Sequence, residues 1–271
     1  MKTKYKILIA KIIFNILALI KTKKNFKIKR NNINWELDLS EGIDLSIYIF
    51  GKFEYEIIKA IAKHKLPKKP VFLDIGANIG VQTLQLAEFF NKSIVHSFEP
   101  TKFGFDKLKK NIFLNPKISK RITINQNFLT NKDSLPQKIY ASWNLKNKKN
   151  IHKKHHGSFK KTENAKSLKL DNYILNKKIK KVDFIKLDVD GHELEVLKSG
   201  YNFLKKKKVP IIFEVAPYLY EEHGYTHNDL IKLFKDLNYD FYDIYSLKKI
   251  ENIYNFVLSI PDGTSSTLVA K

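Results

Sequence analysis

Apolar positions along this chain repeat with two different periods. Short, nearly continuous apolar runs at 71–75, 93–98, 122–126, 182–188, 209–215, about 239–245 and 254–260 read as buried strands. Between them, apolar residues recur at helical spacing over 79–90, 101–115, 167–176, 191–204 and 227–237. Strands too apolar to alternate, separated by helices, predict an α/β fold: a parallel sheet with helices on both faces. No long helix separates the last two strands, so the final one is expected to run antiparallel. Upstream, Trp35–Leu39 and Ile47–Phe50 predict a hairpin or strand pair. Phe53 to His64 predicts a helix, stopped by Leu66-Pro67.

Two segments break this rhythm. Residues 1–30 form a basic, apolar arm in which every charged side chain from Lys2 to Arg30 is positive. Its apolar run, Ile7 to Ile20, is short and interrupted for a spanning helix, which needs about 20 apolar residues. No small-x-small cleavage site follows it, as a signal peptide would require. At 100° per residue Lys4, Lys11, Asn15 and Thr22 share one side and leave a broad apolar face. Two readings stay open: residues 5–20 lie in a membrane interface, or they pack on the protein's own core. The second segment is a polar insert at about 144–166, read as a solvated loop or a lid. Its His152, His155 and His156 lack a neighbouring acid or cysteine at metal-ligand spacing. Residues 31–69 are then an extension packed on a catalytic domain spanning 70–271.

Composition narrows the classes. The 271 residues need no covalent staple, and there is no cysteine to form one. That excludes a disulfide, a thiolate zinc site and a cysteine nucleophile, and it fits a cytoplasmic location, with peripheral contact at the inner face of a membrane. The formal charge of +23 suits an anionic partner. It is nearly all lysine, spread along the chain among many Ile and Asn, and this favours compositional drift over specific nucleic-acid binding.

The chemistry concentrates at strand ends. "FLDIGANIG", residues 72–80, runs from strand through a glycine turn into a helix. Its spacing, Asp-x-Gly-x-x-x-Gly, is not the dinucleotide fingerprint, and Asp74 would repel a pyrophosphate while attracting an ammonium group. Gly76 lets the backbone approach a ligand closely. The next strand ends in Ser97-Phe98-Glu99-Pro100, where a carboxylate can accept both hydroxyls of a ribose. A ligand with a ribose and a cationic amino-acid end is S-adenosylmethionine. Two further strands deliver acids to the same edge: "FIKLDVDGHE", with Asp188 and Asp190, and "IIFE", with Glu214.

Together "FLDIGANIGVQTL", "SFEP", "FIKLDVDGHELEVLKSG" and "IIFEV" resemble the FkbM-type methyltransferases, over roughly residues 70–217. The Asp-Val-Asp-Gly-His-Glu block followed by Val-Leu is the specific part. The resemblance implies a class I methyltransferase (Rossmann-like) three-layer sandwich with a mostly parallel seven-stranded sheet. It implies S-adenosylmethionine as cofactor and O-methylation of a sugar, glycan or related hydroxyl. Asp74, Gly76, Asn78 and Gly80 would form the methionine-side loop, and Glu99 would take the ribose. The region after the third strand lacks the family's usual acid, which leaves Asn127 and Phe128 as candidates to frame the adenine.

Methyl transfer to a hydroxyl needs a positioned acceptor and a proton acceptor. Asp188, His192 and Glu214 are the groups at the right edge, and His192 has the best-suited ordinary pKa, about 6.5. Asp188 and Glu214 could also hold Mg²⁺, but an acid pair also suits direct hydrogen bonding to a polyol, and that reading is favoured over a metal. Asp190 and Glu193 read as structural acids in a first helical turn. A nucleic-acid methyltransferase is the rival reading, as is a catalytically inactive adenosylmethionine-binding protein. Amino-methylating enzymes of nucleic acids carry an Asp or Asn before Pro-Pro-aromatic, and Asp188-Val189-Asp190-Gly191 stands in that place.

Overall fold

The computed structural model describes residues 3–20, 25–146, 149, 151–154 and 156–271. His155 and part of the basic segment, residues 1–2 and 21–24, lie outside them. The chain opens with helix α1 (Thr3–Ile20), strands β1 (Asn25–Arg30) and β2 (Ile33–Asp38), then helices α2 (Gly42–Phe50) and α3 (Tyr55–Ala62). Then come β3 (Val71–Ile75), α4 (Val81–Phe89), β4 (Ile94–Phe98), α5 (Lys102–Phe113), α6 (Pro116–Ser119) and β5 (Ile122–Asn125). Short strands β6 (Asn127–Leu129), β7 (Lys138–Tyr140), β8 (Phe159–Lys161) and β9 (Lys166–Leu168) carry the insert. The remainder is α7 (Leu170–Asn176), β10 (Phe184–Leu187), α8 (Glu193–Ser199), α9 (Tyr201–Lys207), β11 (Ile211–Val215), α10 (Pro217–Tyr220), α11 (His227–Asp236), β12 (Phe241–Asp243), α12 (Ile253–Leu258) and β13 (Ser266–Ala270).

Seven strands make the central sheet, in the order β12-β13-β11-β10-β3-β4-β5. The five from β11 to β5 are parallel, and β13 runs antiparallel to both of its neighbours. After β3 the chain builds outward through β4 and β5, then returns to lay β10 on the other side of β3. The reversal makes a crevice at the carboxyl ends of β3 and β10, where open α/β sheets bind their ligands.

Alternate residues of each strand feed two cores. Leu73, Ile75, Ile185, Ile211 and Phe213 pack against α7, α8, α9, α11 and α12. Phe72, Val95, Phe184, Ile212 and Val269 pack on the other face with residues of α3, α4 and α5. Ile33, Trp35 and Leu37 of β2 join this second core, so 31–69 is continuous with it.

Three sequence expectations are corrected and one open reading is narrowed. The final strand is Ser266–Ala270; residues 254–260 fall largely in helix α12, where Ile253 and Val257 bury one face at helical spacing. Ile47–Phe50 is the end of α2, closed by Gly51 at φ 73°, and the hairpin lies earlier, at 25–38. Within the basic segment, β1 pairs with β2 along its whole length, and α1 packs Ile7, Ala10, Ile13, Phe14 and Leu17 on Leu39, Leu45 and Leu145. The packed reading of α1 therefore holds for one of its faces. Finally, the insert is not simply solvated. β7 pairs with β8, Tyr140 stacks on Phe159 at 3.9 Å between ring centroids, and His152 is buried with Nε2 2.9 Å from Glu222. No helix among the described residues is long and apolar enough to cross a membrane.

Candidate active site

A cavity of about 540 Å³ opens at the crevice between β3 and β10. That volume suits a small organic ligand, for which cavities of about 300–1,000 Å³ are usual. Its floor is the turn after β3. Gly76 sits at φ 81°, and a Cβ there would lie 1.7 Å from the Asp188 carbonyl oxygen. Only glycine can bring this backbone against the end of β10. Asn78 (φ 49°) and Gly80 (φ 93°) bend the chain into α4, and a Cβ on Gly80 would meet Leu108 at 2.6 Å.

Glu99 braces the same turn. Its carboxylate accepts from the Asn78 and Thr101 backbone N–H groups, each at 2.8 Å, and from the Thr101 hydroxyl. Burial raises its pKa, opposed by these hydrogen bonds. A carboxylate offers about four acceptor positions, and three are used here, so capacity remains for a hydroxyl in the cavity it lines. Asn127, Phe128 and Leu129 form a neighbouring wall, with Phe128 buried edge-on to His192 at 5.0 Å.

Asp74 stands elsewhere than the sequence suggests. It is wholly buried behind the turn and does not line the cavity. The Thr83 hydroxyl donates to it at 2.5 Å, and its other oxygen lies 3.7 Å from Lys186 Nζ. Its pKa is raised by burial and pulled back by Lys186. Asp74 therefore supports the turn and does not reach the cavity.

Lys186 is the residue the sequence reading missed. Strand register sets it directly beside Asp74. Its ammonium donates to the Gly76 carbonyl at 2.8 Å and lies 3.3 Å from Asp188. Those two carboxylates hold its pKa above the ordinary lysine value despite burial. The signal was available: a lysine inside the buried apolar run Phe184-Ile185-Lys186-Leu187 demands a counter-charge.

Three acids converge beside this turn. Carboxylate oxygens of Asp188, Asp190 and Glu214 all lie within 4.8 Å of one another on the cavity wall. Desolvation, then the charge of Asp188, lifts Asp190 and Glu214 well above the usual carboxylate range. Asp190 is thus part of the cluster rather than only a helix-start acid. Glu193 does have a structural part: it accepts from the Val189 and Gly191 N–H groups and from Tyr225, and burial pushes it up to about 7. Ser265 donates to Glu214.

His192 does not suit the part of general base. Burial, reinforced by His223, lowers its pKa to about 3. Its ring centroid lies 4.1 Å from that of His223 and it belongs to the wall with Phe128. A group that releases its proton so readily is a poor proton acceptor near neutrality.

The residues present fit S-adenosylmethionine. A glycine turn that a Cβ would fill, a braced carboxylate with spare acceptor capacity, an apolar wall and an anionic cluster match its amino-acid end, ribose, adenine and positive charge in kind. Residues 74–241, more than half of the chain, match the family profile described as the methyltransferase FkbM domain. The fold and cavity are thus those of an S-adenosylmethionine-dependent methyltransferase. Within that class, the chain belongs to the FkbM methyltransferase family. It is similar to methyltransferase sdnD of Sordaria araneosa, at 28% identity over 194 residues, covering 60% of this chain and 75% of that one. Among solved structures it is similar to the FkbM methyltransferase of Methylobacillus flagellatus KT, at 16% identity and a TM-score of 0.47. That match covers 78% of this chain and 45% of the other, so this chain spans less than half of that protein's length. A further similar structure is M. jannaschii TYW2 in complex with AdoMet: 14% identity, TM-score 0.45, covering 92% of this chain and 85% of that one.

Proposed function

We propose that this protein O-methylates a hydroxyl of a sugar, glycan or related polyol. The observation that carries the reading is the convergence of Asp188, Asp190 and Glu214 within 4.8 Å on the wall of the cavity. Several acceptor oxygens in one place suit a molecule that presents several hydroxyls. The same acids repel the phosphodiester backbone of a nucleic acid, which argues against the rival acceptor class.

When bound, S-adenosylmethionine supplies a methyl group already activated on a sulfonium. Gly76, Asn78, Glu99, Asn127 and Phe128 would hold it. The chain's own task is to fix an acceptor hydroxyl and take up the proton it gives off. Asp190 and Glu214 suit the second task, because desolvation makes each a stronger base than an exposed carboxylate. Asp188, tied to Lys186 at 3.3 Å, suits orientation of the acceptor.

The test is transfer from methyl-labelled S-adenosylmethionine to a panel of glycans, with a carboxylic acid and a short RNA as competitors. The expected product carries one added methyl as an ether that survives mild alkali. Label confined to an alkali-labile ester, or to the RNA, would overturn the acceptor class.

A further inference from the structure

Helix α1 has two apolar faces, and the core uses one of them. Ile7, Ala10, Ile13, Phe14 and Leu17 turn inward. Leu8, Ile9, Ile12 and Ile16 form a second ridge, each about half exposed. Lys11 and Asn15 border the ridge on one side, both exposed. On the neighbouring helix α2, Phe50 is 68% exposed and Ile49 38%. Ile9, Ile49 and Phe50 also line the active-site cavity. Exposed apolar residues of two helices, α1 and α2, therefore adjoin the cavity. Large apolar side chains exposed together mark an interaction site.

We propose that this face docks on an anionic lipid surface. Charge decides the occupant. Ten lysines and arginines and no acid lie between Met1 and Arg30, and Lys11, Lys27 and Lys29 among them are exposed. A helix with an apolar ridge flanked by basic residues lies in the plane of a headgroup layer, with electrostatic attraction adding to apolar burial. No helix among the described residues is long and apolar enough to cross the bilayer, which fits lying on the surface rather than spanning it. Docked in this way, the cavity lined by Ile9, Ile49 and Phe50 lies next to the headgroups, and, resting on the acceptor reading proposed above, a hydroxyl carried on a lipid would reach the carboxylates without leaving the membrane.

The test uses the full chain and two sets of vesicles, phosphatidylcholine alone and phosphatidylcholine mixed with phosphatidylglycerol. The chain should sediment with the mixed vesicles, less with the neutral ones, and less again at high salt, where screening shortens the reach of each charge. Replacing Ile12 and Ile16 by Asp should lower the partition by about tenfold or more, since each removes a large apolar side chain from the contact. An unchanged S-adenosylmethionine titration would show that this variant is folded. Because the chain has no cysteine, an environment-sensitive dye on Ile12→Cys gives a second reading that keeps the ridge apolar. Its emission should shift to the blue on mixed vesicles, and the same dye on Leu175→Cys, exposed on α7 and outside this patch, should not. Equal sedimentation of parent and double variant, no shift at position 12, or a lipid-free dimer that the double variant dissolves would overturn the proposal. A parent that binds vesicles yet fails to bind S-adenosylmethionine would instead count against the cofactor reading, leaving the docking face intact.

Discussion

Lys186 and Asp74 are strand neighbours that meet as a buried ion pair, Nζ to Oδ1 at 3.7 Å, directly beneath the turn that forms the cavity floor. The same ammonium donates to the Gly76 carbonyl at 2.8 Å. One buried cation thus joins β10 to the turn after β3 and balances the acids on either side. Removing one partner of a buried pair leaves the other charge unpaired, a loss of about 3–5 kcal/mol. Lys186→Met should be destabilised by that order in urea unfolding. Lys186→Met combined with Asp74→Asn should recover part of the loss, because the orphaned charge is gone. A single variant as stable as the parent would show that the pair contributes nothing to the turn.

Glu99 braces the turn and lines the cavity, and the proposed cofactor site gives it the ribose, so its loss should appear in binding before folding. Glu99→Ala removes the acceptor for the Asn78 and Thr101 N–H groups and the acceptor offered to a ribose. Losing one hydrogen bond to a charged group costs roughly 1.5–3 kcal/mol, or about 10–150-fold in affinity. Calorimetric titration with S-adenosylmethionine should show a loss of that order in a chain whose circular dichroism is unchanged. Unaltered affinity would remove Glu99 from the cofactor site.

The Glu193 carboxyl predicts how stability depends on pH. Burial raises its pKa from the ordinary 4.5 to about 7 in the folded chain. The folded state then holds this proton more tightly than the unfolded state does. Its contribution to stability is fully present below pH 4.5 and is lost as pH rises through about 7. Each pH unit in that window is worth about 1.4 kcal/mol at most, so the full slope amounts to roughly 3 kcal/mol. Glu193→Gln keeps an oxygen to accept from Val189 and Gly191 and cannot titrate. Its unfolding free energy should be flatter than the parent's across the window. Two parallel curves would mean that Glu193 is not the group responsible.

The sheet was legible because each of its central strands is a closed apolar run, and β3, β4, β10 and β11 fall within a residue or two of where those runs sit. The close backbone turn at Gly76 and the strand-tip position of Glu99 at the cavity were legible because each leaves a local mark. The failures share a cause. Ile47–Phe50 and residues 254–260 are apolar runs too short to carry a period, so α2 and α12 passed for strands. Asp74 and His192 were misjudged because their chemistry depends on partners far along the chain. Lys186 lies 112 residues beyond Asp74, and Phe128 and His223 close on His192 from opposite directions. The inward stripe of α1 was visible as an amphipathic pattern, but a stripe alone does not tell a core from a lipid surface.

The carboxylate cluster and His192 make opposite predictions about turnover. If the proton leaves through Asp190 or Glu214, the active form is the deprotonated one. Turnover should then fall as pH drops through a value well above the ordinary 3.8 of Asp and 4.5 of Glu, since desolvation and the Asp188 charge raise both groups. That apparent value belongs to the cluster, so Glu214→Gln should shift the acid limb as well as lower the rate, and Asp190→Asn should do likewise. Loss of a general base typically costs about 10²–10⁴ in rate. His192, with a pKa of about 3, carries no proton in this window, so His192→Ala should leave the position of the limb unchanged, whatever it does to cofactor affinity. Lys186 already stands 3.3 Å from Asp188 as the local cation. Turnover should therefore survive dialysis against EDTA, and a loss restored by Mg²⁺ would assign the three acids to a metal instead. A limb that persists in both acid variants and disappears in His192→Ala would return the base to histidine.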